Sequence, residues 1–523
     1  MMLRPAIERF TPAASCVGAA LLALSIMASS ASAQSKAEAE RAGDAGNDRL
    51  IISNMPERKR PVRDLFSKVL GKAKRRVLAL TKSEVWSVPP SESHRLSQRL
   101  ARLGIKVTKL GADWNHVLKR RSGPMSRTEE DMIKPMQSAP ETVGVYVMSA
   151  PEAAVTEYVL GGGKDSASRS GEEAPARIVI NLDDKRDVTI RRTRFTATER
   201  GLTWGGVVEE TGENAVLMLW KDGRLTGVLG YRGHIYTVTN ISGEAHAVAE
   251  VDPRKLPPDH AAVSPNVRDL ARRSDTVATR PPAPVPVPNV KALPDSVRVA
   301  LEAKQITIDV MILYTKRVMS RYIREPADLT ALVIEQANET FRNSGLENIK
   351  LRLAHQQMVD YDETGGEHFN HLYRMVDGEG PFKAIHKLRN EKRADIVGMV
   401  IDDPSGCGLS TRVGADSEEA YFVVHHSCAA ITISIAHEMG HILGARHDRR
   451  VDANETPFPY GHGHVNGTKW RDIMSYQESC EGCVRIPFWS NPRVKYQGEP
   501  TGTLASDNAR VILEQAERVS RFR

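Results

Sequence analysis

The C-terminal half of the chain predicts an α/β domain, and the region before it predicts a mixed αβ and β-rich unit. Three observations carry this. Between residues 306 and 424, short apolar runs alternate with amphipathic stretches at helical spacing. Of the 28 aromatic residues, 17 fall between residues 296 and 523, so that half can build the larger packed core. Arg280-Pro281-Pro282-Ala283-Pro284-Val285-Pro286-Val287-Pro288 reads as an extended linker that divides the chain.

The elements follow in order. Residues 34 to about 60 are small and charged and read as disordered. Residues 75–110 read as a small αβ unit: Arg76 to Leu80 as a strand, then Ser91 to Leu103 as a helix with Leu96, Leu100 and Leu103 at helical spacing, then Ile105-Lys106-Val107 as a returning strand. Residues 117–140 turn polar and basic. Residues 175–250 read as all-β, with Ile178 to Leu182, Ala215 to Trp220 and Gly233 to Val238 as strands and Lys221-Asp222-Gly223-Arg224 as a hairpin. After the linker, Ile306 to Tyr314 has a buried-strand pattern. A helix is predicted at about 327–343, strands at Lys350 to Ala354 and Ala394 to Val400, and a helix between them at Phe382 to Lys392. Gly408 to Thr411 and Ala420 to Val424 add two short strands.

Composition bounds the rest. The chain has 523 residues, 41% hydrophobic and 26% charged, which excludes a wholly disordered protein, a collagen and a pure coiled coil. The net charge of +7 is mild for this length, and no basic and aromatic array suggests nucleic acid as a partner. Arg4 and Arg9, an apolar run from about Ala13 to Ala28 and the small-residue site Ala31-Ser32-Ala33 read as a secretory signal over residues 1–33. A single membrane anchor is the rival reading. Past residue 33 no apolar run approaches a membrane span, so the expected location is extracellular, or periplasmic in transit. Loss of the signal removes Cys16 and leaves Cys407, Cys428, Cys480 and Cys483. In an exported chain these suggest two disulfides. Cys407–Cys428 and Cys480–Cys483 are the favoured pairs, because each brackets one local segment. A redox or zinc role for Cys480 and Cys483 is the alternative.

The chemistry is carried by Ala436-His437-Glu438-Met439-Gly440-His441-Ile442-Leu443-Gly444-Ala445-Arg446-His447-Asp448. On a helix, His437 and His441 stand one turn apart on one face and can reach one ion. Gly444 can end that helix in a left-handed turn, and His447 then supplies a third nitrogen. Three neutral imidazoles leave an open position, as a catalytic zinc site requires. Glu438 lies beside the metal as general base for water. Ile431 to Ile435 reads as a helical lead into the motif. About 27 residues past His447, Arg471-Asp472-Ile473-Met474-Ser475-Tyr476 reads as a methionine turn beneath the zinc.

This pair of motifs resembles the metzincin clan of zinc endopeptidases. Asp448, directly after the third histidine, is similar to the reprolysin-like and adamalysin-like branch. Pro459-Tyr460-Gly461-His462-Gly463-His464, the Cys480/Cys483 pair, Phe488-Trp489-Ser490-Asn491-Pro492, Asn508-Ala509-Arg510-Val511 and the opening strand Asp309 to Thr315 resemble the bacterial peptidyl-Asp metalloendopeptidases. The resemblance covers about 300–523. It implies a metzincin-like catalytic domain over 296–523, with a twisted, mostly parallel sheet above the active-site helix and an irregular lower part after Gly444. An edge strand near 408–414, tied by Cys407, would bind protein or peptide substrates by strand addition.

The resemblance also implies cleavage on the amino side of acidic residues, for which a cation is needed. Arg485 lies where such a pocket wall is built, with Arg493 and Lys495 as rivals. Tyr476 is either a group that swings to stabilise the oxyanion or a packed tyrosine. His425, His426, His462 and His464 read as loop or cleft residues. Residues 34–279 would be a pro-region acting as an intramolecular inhibitor, joined by a 280–295 linker. No cysteine lies between residues 34 and 406, so latency must use a carboxylate or steric cover. The linker and Lys119-Arg120-Arg121 are candidate maturation sites. The competing readings are a zinc-binding adhesion or interaction module with weak or no activity, and a permanent interaction domain in place of the pro-region.

Overall fold

The computed structural model describes residues 48–53, 74–111, 113–161, 177–197, 200–259, 290–321, 326–480 and 482–523. The expected signal segment and the proline-rich run at 280–288 lie outside the described residues. Among the described residues, no helix is long and apolar enough to cross a membrane. The chain forms two compact units, one of residues 1–114 and 157–175, the other of residues 115–156 and 176–523.

The first unit holds a four-stranded sheet and the helix Pro90–Arg102. Leu96 and Leu100 on that helix pack on Leu50, Ile52 and Trp86, as the helical spacing predicts. One expectation fails here. Asp48–Ser53, read as part of a disordered stretch, is a strand paired on both sides, with Glu84–Val88 and Lys106–Lys109. Its apolar run, Leu50 to Ile52, is too short to stand out from flanking charge, and pairing rather than periodicity buries it.

The second unit contains a closed nine-stranded barrel. The all-β reading of 175–250 meets seven of its strands, from Arg177–Asn181 to Ala245–Val251. The Lys221–Arg224 segment joins Asn214–Trp220 to Leu225–Tyr231 as an antiparallel hairpin. The polar 117–140 stretch and the residues after it supply the rest: the strand His116–Arg120 and the helix Arg127–Ser138, capped reciprocally by Ser126 and Glu129, precede the strand Thr142–Ser149. The basic triplet is therefore not a loose segment. Lys119 and Arg120 lie in a barrel strand, and Arg121 pairs with Glu129 at 2.7 Å.

In the C-terminal half, β1 (Ile306–Thr315), α1 (Pro326–Asn343), β2 (Ile349–Val359), α2 (His368–Val376), α3 (Phe382–Lys392), β3 (Ile396–Ile401), β4 (Gly408–Ser410) and β5 (Tyr421–His425) follow in order. The sheet order is β2-β1-β3-β5-β4; the first four strands are parallel and β4 is the antiparallel edge. Successive residues of β1 point to opposite faces. Ile308, Val310, Ile312 and Tyr314 enter the core shared with α1, α5 (Ser434–Leu443) and α6 (Asn508–Val519), whereas Met311 and Leu313 meet α2 and α3. Both sheet faces are covered, which is why these strands read as continuous apolar runs.

The helical lead into the motif is a correction. The chain makes a short helix α4 (His426–Ile431), breaks at Thr432 and Ile433, and restarts as α5. Ile433 has φ +60°, a left-handed conformation that a β-branched side chain resists, so apolar spacing alone reads through the break.

The barrel carries a pH-sensitive group. His246 is fully buried; its Nε2 accepts the Leu225 N–H at 3.1 Å and its Nδ1 lies 2.8 Å from the Glu244 carbonyl. Both contacts suit the neutral ring, and burial pushes its pKa down to about 4. Unfolding frees the ring to take a proton near pH 6.5, so the stabilisation is complete above that pH and is lost as pH falls toward 4. The loss expected is up to roughly 3 kcal/mol. Denaturant midpoints followed by tryptophan fluorescence should fall between pH 7 and 5 in the wild type, with a flatter slope in His246→Gln; equal slopes would remove His246 from this role.

Candidate active site

Helix α5 brings His437 and His441 onto one face. It ends at Gly444, where φ is +112° and the N–H bonds back to the carbonyls of Gly440 and His441. A side chain there would meet both the left-handed backbone and the ring of Phe458. The chain turns and presents His447, whose Nε2 lies 3.2 Å from His437 Nε2 and 2.9 Å from His441 Nε2. His437 Nδ1 donates to the Ile473 carbonyl and His441 Nδ1 to the Ala445 carbonyl, each at 2.9 Å. A carbonyl only accepts, so those rings carry their proton on Nδ1 and turn an Nε2 lone pair inward. Convergent lone pairs at this spacing repel unless they share a cation, so the donor set fits a metal.

The third histidine is fixed from below. Asp448 accepts the Tyr476 N–H at 3.1 Å, the Ser479 hydroxyl at 2.7 Å and the Arg450 N–H at 3.1 Å. It therefore ties the residue after His447 to the methionine turn. Met474 is fully buried, with its sulfur and the Trp489 ring packed beneath Gly440 of α5. Asp472 accepts the Ser475 hydroxyl and the Ser490 N–H, and complete burial pushes its pKa up to about 7. His462 Nδ1 donates to the His447 carbonyl at 3.0 Å.

Glu438 is fully buried beside the ligands, and burial pushes its pKa up to about 8 against the lowering effect of Ser410. The start of edge strand β4 lies on it: a Cβ at Gly408 would run into the Glu438 carboxylate. The ring of Tyr476 lies 4.3 Å from that of His447, between centroids, so Tyr476 is at the site. Its phenol is held well above the ordinary tyrosine range by burial and then by Asp259 and Glu438. Disulfide Cys407–Cys428 ties the edge strand to α4, and Cys480–Cys483 closes the loop after the methionine turn, in the expected pairing.

Arg485 donates to the carbonyls of Thr432 at 3.1 Å and Ser475 at 3.3 Å, which places it against the start of α5 and the methionine turn. Its rivals lie elsewhere: Arg493 pairs with Asp507 at 3.0 Å, and Lys495 is exposed on a short hairpin. Sequence reading missed Arg471, Asp472 and the role of His462, although Arg471 and Asp472 stand in the same short motif as Met474. It also did not foresee that His425 and His426 converge with Asp402, their ligand atoms all within 4.8 Å. Asp402 there pairs with Arg317 at 2.7 Å, and the His425 ring accepts the Ser427 N–H.

The Asp448 contacts generate a test. Asp448→Ala should lower the unfolding midpoint by an amount equivalent to about 1–3 kcal/mol and weaken metal retention roughly 10- to 100-fold, because the third ligand loses its anchor. Metal content after graded dialysis checks this; wild-type retention would free Asp448 of the anchoring role.

A family model described as metallo-peptidase family M12 matches residues 304–487. A peptidyl-Asp metalloendopeptidase of Xanthomonas campestris pv. campestris is 28% identical over 423 residues, which cover 77% of this chain and 91% of the relative. One from Stenotrophomonas maltophilia strain R551-3 is 30% identical over 315 residues, covering 59% of this chain and 71% of the relative. Another, from strain K279a, is 27% identical over 408 residues, covering 76% and 91%. With its histidine triad, buried glutamate and methionine turn, the chain is a metalloendopeptidase and belongs to metallo-peptidase family M12, among the bacterial peptidyl-Asp metalloendopeptidases.

Proposed function

We propose that the protein is a secreted zinc endopeptidase, made with an inhibitory pro-region, that cuts proteins on the amino side of acidic residues. The observation that carries the reading is the convergence of three Nε2 atoms beside the buried Glu438. An all-imidazole set with one open position suits zinc. When bound, zinc supplies Lewis-acid polarisation of the scissile carbonyl and acidifies a water.

The chain's own groups supply the rest. Edge strand β4 aligns an extended peptide through its backbone. Glu438 takes the proton of the attacking water and delivers it to the leaving amine, and its raised proton affinity suits both transfers. The Tyr476 phenol, next to His447, donates to the developing oxyanion. Arg485, nearly buried, supplies the cation for an acidic side chain just after the cut. The names of the relatives support this preference. Export is supported by the signal-like N-terminus and by two disulfides, which persist in oxidising compartments.

Glu438→Ala should keep its metal and lose about 10²- to 10⁴-fold in kcat; substantial residual hydrolysis would remove it as base. Mapping new termini in a denatured protein mixture, with and without chelator, should give chelator-sensitive cuts before Asp and Glu. Arg485→Gln should lower the preference for Asp over Asn after the cut by roughly tenfold or more. An unchanged ratio would move the specificity elsewhere, and the absence of any cuts would return the reading to a metal-holding binding module.

A further inference from the structure

Arg471 and Arg485 are in register on two short parallel strands, Trp470–Arg471 and Val484–Arg485. Both side chains are about nine-tenths buried. Two cations side by side in a low-dielectric place repel. Their protein hydrogen bonds go to neutral carbonyls: Arg471 to Ser475 and Cys483, Arg485 to Thr432 and Ser475. The Arg485 Nε is buried with no hydrogen-bond partner. The pair therefore needs an anion.

Asp259, from the segment that leaves the barrel, supplies it. Its Oδ2 lies 3.0 Å from Arg485 Nη2 and 3.6 Å from Arg471 Nη2, an ion contact rather than an aligned hydrogen bond. Among the described residues, it is the carboxylate that meets both guanidinium groups. The segment is rooted in the barrel: Ala245–Val251 ends at Asp252, whose N–H bonds to the Glu141 carbonyl and whose side chain caps the turn Pro253–Lys255. Pro257 and Pro258 follow. Neither has an N–H, so that stretch can only accept from the edge strand. It does so: the Cys407 N–H donates to the Pro258 carbonyl at 2.7 Å, one residue before the glycine that packs on Glu438.

We propose that Pro257–Pro258–Asp259 is an acidic-peptide mimic that closes the cleft by seating Asp259 in a two-arginine pocket, and that Arg471 and Arg485 together bind the acidic side chain of substrates once it leaves. The bond before Asp259 is the one an acid-directed enzyme would cut. Its carbonyl oxygen accepts the Cys407 N–H at the start of the edge strand. This deepens the reading given under Proposed function, and rests on its pro-region and its acid preference.

The test uses the full chain, kept intact as verified by mass spectrometry, with a fluorogenic peptide bearing one Asp after the cut. Intact Asp259→Asn should hydrolyse it at least about tenfold faster than the intact wild type, the scale of losing one partner of a buried charge pair. Asp259→Glu, which keeps the charge, should stay near the wild type. Asp259→Asn that is no faster, while matured wild-type enzyme cleaves the same peptide, would overturn the seating and leave the proposed function standing. Asp259→Glu as active as Asp259→Asn would place latency in the backbone and overturn the charge pocket. Matured wild type without chelator-sensitive cleavage before Asp would remove the parent reading, and the inference with it.

Discussion

Three converging imidazole nitrogens, those of His437 and His441 each within 3.2 Å of that of His447, are the constraint on which the rest of the domain depends. One helix can supply two of them, since only residues a turn apart share its face. The third must come from a chain that reverses direction at once and does not spring back. The reversal is given to Gly444, and its far side is clamped. The Arg446 N–H donates to Gly461 O, the Arg446 carbonyl accepts Asn508 Nδ2, and its guanidinium reaches Asp452 at 2.8 Å. The lower part thus has little regular structure and yet is buried, because its hydrogen bonds are spent on holding one turn.

What was legible follows from this. His437, Glu438, His441, Gly444, His447 and Asp448 stand within twelve residues, so their geometry is a property of local spacing. Met474 was legible because its distance from the helix is set by the loop. Arg471, Asp472 and His462 gain their roles only when the chain returns to the helix from outside, and no local pattern announces that. The same division holds for the fold. The alternation of β1 and the spacing on the helix Pro90–Arg102 are local, whereas the strand Asp48–Ser53 is defined by its partners. Barrel closure needs Ala245–Val251 to pair with Thr142–Ser149, about a hundred residues earlier. The break at Ile433 was missed for a related reason: the sequence offers a helix-compatible residue where the backbone is left-handed.

That break joins Arg485 to the helix that carries the histidines. It leaves the Thr432 carbonyl at the end of α4 without a helical successor, and Arg485 donates to it at 3.1 Å. With its other nitrogen, Arg485 touches both the Ser475 carbonyl of the methionine turn and Asp259. One guanidinium therefore joins the entrance of the metal-bearing helix, the turn beneath the metal site and the anion in the pocket. A planar group with five donors in a fixed fork can meet all three at once.

The consequence is an economy of charge. A pocket selective for carboxylates must be positive before its ligand arrives, and positive charge inside a protein is costly when unpaired. Backbone carbonyls around Arg471 and Arg485 soften the cost without cancelling the charge. Asp259 completes the pair, so on the proposed reading the precursor folds with the pocket neutralised. On that reading the charge is uncovered when the segment departs, and the group that completes the folded precursor is the one a substrate replaces.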